Sequence, residues 1–170
     1  MKTRTLGPGG PEVSAIGLGC MGMSAFYGGG DDAQSIAVIH RALDMGVTLF
    51  DTADVYSDGA SEEVLDAAVK GRRDQVLIST KAALPTGDGP NDAGMSRSRL
   101  ITSVEAALRR LGTDYIDLFQ LHAYDAGTPV EEVLSTLDRL VADGKIRYVG
   151  VSNFAGWELM KSLAAAERNG

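Results

Sequence analysis

The sequence holds one cysteine, Cys20, in 170 residues. No disulfide can form within the chain, and a reducing, cytoplasmic setting is the expectation. No apolar run approaches the roughly 20 residues that a membrane-spanning helix needs. The first ten residues, MKTRTLGPGG, lack the apolar core of a secretory signal. Basic charge is in short supply: 16 Lys and Arg stand against 23 Asp and Glu, for a formal net charge of −7. The basic residues are scattered and form no stripe, which argues against a nucleic-acid partner. Low-complexity segments and internal linkers are also missing. At 44% hydrophobic and 23% charged, the composition is that of a single domain that buries a core.

What is present is a regular alternation of short apolar runs and helical patterns. Thr3–Leu6 and Val13–Ile16 flank the turn-rich GPGGP and predict a β-hairpin. Gly17–Gly22 reads as a glycine-rich strand end and loop. A helix is expected from an Asp31 or Asp32 cap to just before Gly46, burying Ile36, Ile39 and Leu43. The run VTLF leads into Asp51. Ser61 is the expected cap of a second helix, with Val64, Leu65 and Ala68 inward and Gly71 beyond its end. VLIST runs to Lys81, and the long polar loop LPTGDGPNDAGMS follows; a loop of that length is more often functional than accidental. A third helix at about Ser98–Leu111 should bury Leu100, Ile101, Val104, Leu108 and Leu111, with Gly112 closing it. YIDLFQL ends at His122. Thr128-Pro129-Val130-Glu131 reads as a capping box, and Val133, Leu134, Leu137 and Val141 as its helix's apolar stripe, which Gly144 ends. IRYVGV leads to Ser152-Asn153, and a last helix carries Trp157, Met160 and Leu163.

Apolar strands alternating with helices predict an α/β fold with a parallel sheet buried on both faces. The expected fold class is a (β/α)8 TIM barrel, of which a hairpin and about five strand–helix units are present, where a closed barrel needs eight. Residues 1–170 then form the N-terminal part of one barrel domain. A doubly wound nucleotide fold is the rival. Gly17, Gly19 and Gly22 do fit G-x-G-x-x-G, but MSAFYGGGDD separates them from the next helix, and no GKS or GKT exists.

In such a barrel all strand C-termini open on one face, and that face carries the active site. Asp51, Lys81, His122 and Ser152 each follow a strand there, and Tyr56 lies in the loop just past Asp51. A free tyrosine, with a pKa of about 10, is a weak acid at neutral pH. A lysine ammonium at 4 Å favours the phenolate by roughly 4 kcal/mol at an effective dielectric near 20, before desolvation. Asp51 is suited to hold Lys81 charged, and His122 to hydrogen-bond a substrate oxygen. The set is complete for protonating a carbonyl but lacks a hydride donor, which a nicotinamide cofactor must bring. Singly, each residue has an ordinary reading. Asp51 can start a turn, Tyr56 pack on a loop, Lys81 be solvated, His122 bond backbone and Ser152-Asn153 cap a helix, while His40 is read as structural and Cys20 as a small buried hydrophobe. Their joint placement on one face favours chemistry.

The stretches GLGCMGMS (17–24), GVTLFDTADVYSDGASEEVL (46–65), VLISTK (76–81), DYIDLFQLH (114–122) and GKIRYVGVSNF (144–154) resemble the aldo-keto reductases, near the potassium-channel β-subunit branch. Asp66 stands where that family often has glycine. The resemblance implies a (β/α)8 barrel plugged at its floor by the hairpin, and NADPH-dependent reduction of a small aldehyde or ketone. It assigns Asp51, Tyr56, Lys81 and His122 as catalytic, with Tyr56 the proton donor. It places Cys20, Met21, Gly22 and Asp51 against the nicotinamide ribose, and Ser152 and Asn153 on the nicotinamide carboxamide; no metal is implied. A non-enzymatic binding or regulatory protein on the same scaffold is the alternative. Self-association through the open barrel edge is a third expectation.

Overall fold

The computed structural model describes residues 1–23 and 31–169. The Ser24 end of GLGCMGMS, residues 24–30 of the segment that follows, and Gly170 lie outside the described residues.

Two short strands, β1 (Thr3–Thr5) and β2 (Glu12–Ser14), pair antiparallel around GPGGP as the turn chemistry demands. Five parallel strands then alternate with five helices. The strands are β3 (Leu18–Gly19), β4 (Leu49–Asp51), β5 (Leu77–Ala82), β6 (Ile116–Leu121) and β7 (Ile146–Val151), hydrogen-bonded in that order. The helices are α1 (Asp32–Asp44), α2 (Ala60–Val69), α3 (Arg97–Arg110), α4 (Val130–Ala142) and α5 (Gly156–Asn169). Sequential parallel order with a helix after each strand is the winding of a (β/α)8 barrel, five units of which are here. A 3-10 turn, Met21–Met23, follows β3, and α1 begins at Asp32 under an Asp31 cap.

Side-chain alternation divides the sheet. Phe50, Ile78, Phe119 and Leu121 face the helices and meet Leu65, Val69, Leu100, Val104, Val133 and Leu137 in one core. Asp51, Ser79, Lys81, Leu118 and Gln120 lie on the opposite face, the barrel lumen. At the strand N-terminal end, Arg73 and Arg147 stack on the two sides of Tyr115, at 4.1 and 3.6 Å from the ring centroid, and both bond Asp117. This clamp ties the segments leading into β5 and β6 to the starts of β6 and β7, on the face away from the strand C-termini.

Several expected details differ. Ser61 does not cap α2, because Gly59 holds the cap position in a left-handed conformation (φ 91°). Ser61 sits two residues further in, within the first turn, fully buried, and donates to the Cys20 carbonyl at 3.0 Å. The expected capping box before α4 is not formed either. Thr128 donates its hydroxyl to Asp125 Oδ2 at 2.6 Å, and Pro129 occupies the cap with no side-chain bond. Ile101 and Val141 are exposed, since one residue of helical rotation carries each past the buried stripe that Leu100 and Leu140 occupy. Trp157, Met160 and Leu163 on α5, with Tyr148 and Val149 on β7, are also exposed. Among the described residues β7 pairs with β6 alone, so its other edge and this apolar surface are uncovered.

Candidate active site

Asp51 is the last residue of β4, opposite Ser79, and Lys81 projects from the neighbouring strand β5 on the same face, two residues further along. The Lys81 ammonium is 2.5 Å from Asp51 Oδ2 and donates to the Thr52 carbonyl at 2.8 Å and to the Tyr56 hydroxyl at 3.4 Å. Lys81 is only 6% exposed, so a buried ammonium is matched by one carboxylate and one carbonyl and still has a proton to direct at the phenol. Asp51 is itself held by a relay across the lumen. Ser79 Oγ donates to Asp51 Oδ1 at 2.9 Å, and Gln120 Nε2 bonds both Ser79 Oγ (2.7 Å) and Asp51 Oδ1 (3.2 Å). Gly150 makes room for Gln120, because a Cβ there would meet Gln120 Cγ at 3.1 Å.

His122 completes the cluster. Its ring meets that of Tyr56 edge-on, with centroids 5.8 Å apart and planes at 82°. Burial, and secondarily Lys81, hold the imidazole below its ordinary pKa of 6.5, against the pull of Asp51. The ring is therefore neutral near pH 7, and its Nδ1 is buried with no hydrogen-bond partner among the described residues. Asn153, in a left-handed conformation (φ 53°), donates to the His122 carbonyl at 2.9 Å and to Ser152 Oγ at 3.0 Å. Ser152 and Asn153 thus stand side by side at the end of β7, next to His122. The capping contact at α5 comes instead from Glu158, which accepts from the Ala155 amide at 2.7 Å.

All five expected residues, Asp51, Tyr56, Lys81, His122 and Ser152, therefore meet at one rim. Cys20 reaches that rim through its backbone alone. Its thiol is buried and pushed up to about 12, chiefly by desolvation, while its amide donates to the Asp51 carbonyl at 2.7 Å. His40 lies elsewhere, bonded to the Ala68 carbonyl between α1 and α2. Sequence reasoning missed Ser79 and Gln120. A polar residue on the same face as Lys81 in a buried strand was the signal available. Backbone conformation marks the same place: Ser57, Asp58, Ala83 and Asn153, the non-glycine residues with positive φ among those described, all lie in loops after strand ends. Such conformations gather at functional sites.

Beside Tyr56 lies a buried charge cluster. Glu62, fully buried in the first turn of α2, accepts from Thr80 Oγ1 and from Arg110 Nε, both at 2.6 Å. Gly59 is favoured here by its φ of 91°, and a Cβ would push on the Arg110 side chain, whose Cδ would lie 2.5 Å from it. Asp54 pairs with Arg99 at 3.3 Å. The Asp54 carboxyl is raised to about 6, first by burial and then by Glu62, against the opposing pull of Arg99 and Arg110. The native state therefore holds this proton where the unfolded chain, near 3.8, has released it. Stability from this group is full at low pH and is lost as pH rises from about 4 through 6. Urea unfolding at pH 4.5 and 7.0 should show wild type losing on the order of 2 kcal/mol more than Asp54→Asn over that interval. Equal changes in the two proteins would refute this.

No group of three His, Cys, Asp or Glu among the described residues is placed to hold a metal ion, and no helix among them is long and apolar enough to cross a membrane. The sequence profile of the Aldo/keto reductase family matches residues 15–169. Aldo-keto reductase YhdN of Bacillus subtilis is 43% identical over 158 residues, covering 91% of this chain and 48% of that protein. Versiconal hemiacetal acetate reductase of Aspergillus parasiticus is 37% identical, covering 100% of this chain and 56% of its own length. The solved structure of aldo-keto reductase AKR11C1 from Bacillus halodurans, in its holo form, superposes with a TM-score of 0.87 at 32% identity, over 97% of this chain and 54% of that one. The chain spans about half the length of the relatives it matches.

Proposed function

The chain belongs to the aldo/keto reductase family, and on that premise we propose that it carries the proton-delivery half of a site reducing small aldehydes or ketones to alcohols with NADPH. The observation that supports this most is the single ammonium of Lys81 joining the Asp51 carboxylate to the Tyr56 hydroxyl at the strand-end rim. Tyr56 donates the proton to the carbonyl oxygen. Lys81 stabilises the negative charge left on the phenol, and Asp51, steadied by Ser79 and Gln120, fixes the ammonium. Neutral His122, edge-on to Tyr56, orients the substrate oxygen. The nicotinamide cofactor, when bound, supplies the hydride. The Ser152 hydroxyl and Asn153 carboxamide suit its carboxamide in chemistry and place. Met21 and Gly22, with the backbone of Cys20 and the side chain of Asp51, would line the ribose.

We infer further that residues 1–170 are the N-terminal part of one barrel domain working in the cytoplasm, with the open edge of β7 taking the next strand. The isolated chain should then turn over an aldehyde such as 4-nitrobenzaldehyde little or not at all. Joined to the downstream half of a homologous reductase, it should oxidise NADPH with that substrate, and Tyr56→Phe should lower turnover about 10²–10⁴-fold while Trp157 quenching still reports NADPH binding. A Tyr56→Phe enzyme within a few-fold of wild type would remove Tyr56 from the proton-donor role. Binding with no turnover by either form would favour a regulatory protein on this scaffold.

A further inference from the structure

Two loops at the strand-end rim meet at one buried guanidinium. Arg99, in the first turn of α3, is 9% exposed, and its Nη2 donates both to Asp54 Oδ2 at 3.3 Å and to Thr86 Oγ1 at 2.9 Å. Asp54 stands two residues before Tyr56 in the same turn. Its amide donates to the Lys81 carbonyl at 3.0 Å, and the Tyr56 amide donates to the Ala53 carbonyl at 3.2 Å. Thr86 is exposed on the long loop between β5 and α3. That loop is a bonded body of its own: Thr86 amide to Asp92 carbonyl at 3.0 Å, Gly94 amide to Ala83 carbonyl at 2.8 Å, and Met95 amide to Asp125 Oδ2 at 2.9 Å.

The pair is poorly built for stability alone. Asp54 Oδ1 and Arg99 Nε are buried with no hydrogen-bond partner among the described residues, and Glu62 repels Asp54 while Arg110 attracts it. A buried pair left this incomplete adds little net stability, and its removal by halves is costly. What it does supply is a link between the loops, one buried guanidinium nitrogen, Nη2, donating to a residue of each.

We propose that Arg99 and Asp54 are positioning residues that couple the 84–96 loop to the turn carrying Tyr56, so that a substrate seating the loop also seats the phenol beside Lys81. The functional meaning of this link rests on the proton-donor reading of Tyr56. The link itself does not, and it is reciprocal: whatever steadies one loop steadies the other.

Amide hydrogen exchange of the chain at pH 7.5, read residue by residue by NMR, tests the coupling without any turnover. Thr86→Val removes the hydroxyl that Arg99 grips from an exposed position, so the fold survives. Exchange at the Asp54 and Tyr56 amides should rise about tenfold, with the amides of β6 unchanged, and Thr86→Ser should restore wild-type rates. Asp54→Asn should speed the Thr86 and Gly94 amides in return. Unchanged exchange at Asp54 and Tyr56 in Thr86→Val, or failure of Thr86→Ser to restore it, overturns the proposal. Failure of Tyr56→Phe to impair an assembled reductase would overturn the catalytic reading and leave the exchange result standing.

Discussion

Glu62→Ala should destabilise the chain by about 3–4 kcal/mol, measured as the shift in urea unfolding followed by far-ultraviolet circular dichroism. The side chain is fully buried, and its two oxygens are the acceptors for Thr80 and Arg110. Truncation leaves the Thr80 hydroxyl, itself wholly buried, without an acceptor. It also opens a void between α2 and β5 and takes the counter-charge from Arg110. Two effects soften the loss. The Arg110 side chain is 24% exposed and can turn toward water, and Asp54 is freed from a repelling neighbour. Glu62→Gln, which can still accept from Thr80, should cost about half as much. A loss under 1 kcal/mol for Glu62→Ala would mean that the cluster is incidental to the fold.

Lys81→Met should do the reverse, leaving the fold and removing the chemistry. Methionine fills nearly the same volume, and Asp51, with 36% of its side chain exposed, retains its bonds to Ser79 and Gln120. Stability should therefore stay within about 1 kcal/mol of wild type. With Tyr56 as the proposed proton donor, turnover in the assembled reductase should fall about 10³-fold with little change in KM, because the ammonium would act on charge that develops at the phenol only during proton transfer. A parallel fall in stability and activity would instead assign Lys81 a structural role.

The four strand-end residues were legible because each closes an apolar run, and a parallel βα alternation sends every such residue to one rim. Elements were legible for the same reason: helical spacing marked Leu100, Val104, Val133 and Leu137, all of which are buried. The charge cluster was not. Ser61-Glu62-Glu63 reads locally as a solvated first turn, and nothing near Glu62 announces Arg110, 48 residues on, or Thr80 beneath it. Nor could local chemistry show that left-handed Gly59 rather than Ser61 caps α2, since Ser61 is bonded to the Cys20 carbonyl, 41 residues away. Long-range partners decide these positions, and a one-dimensional pattern carries no record of them.

The polar chain from Gln120 through Ser79 to Asp51 and Lys81 has a consequence for how the sheet assembles. Its links cross three neighbouring strands at fixed levels, Asp51 opposite Ser79 and Lys81 opposite Gln120. A parallel strand that docked one residue out of step would turn all of its side chains over. Phe50, Thr80 or Phe119 would then face the lumen, and a carboxylate or an ammonium would be driven against the helices. Apolar strands by themselves discriminate weakly among alignments, since Val, Leu and Ile pack acceptably in many. The charged groups of the rim thus double as registration marks, and misaligned sheets are rejected by the same charges that the finished rim displays.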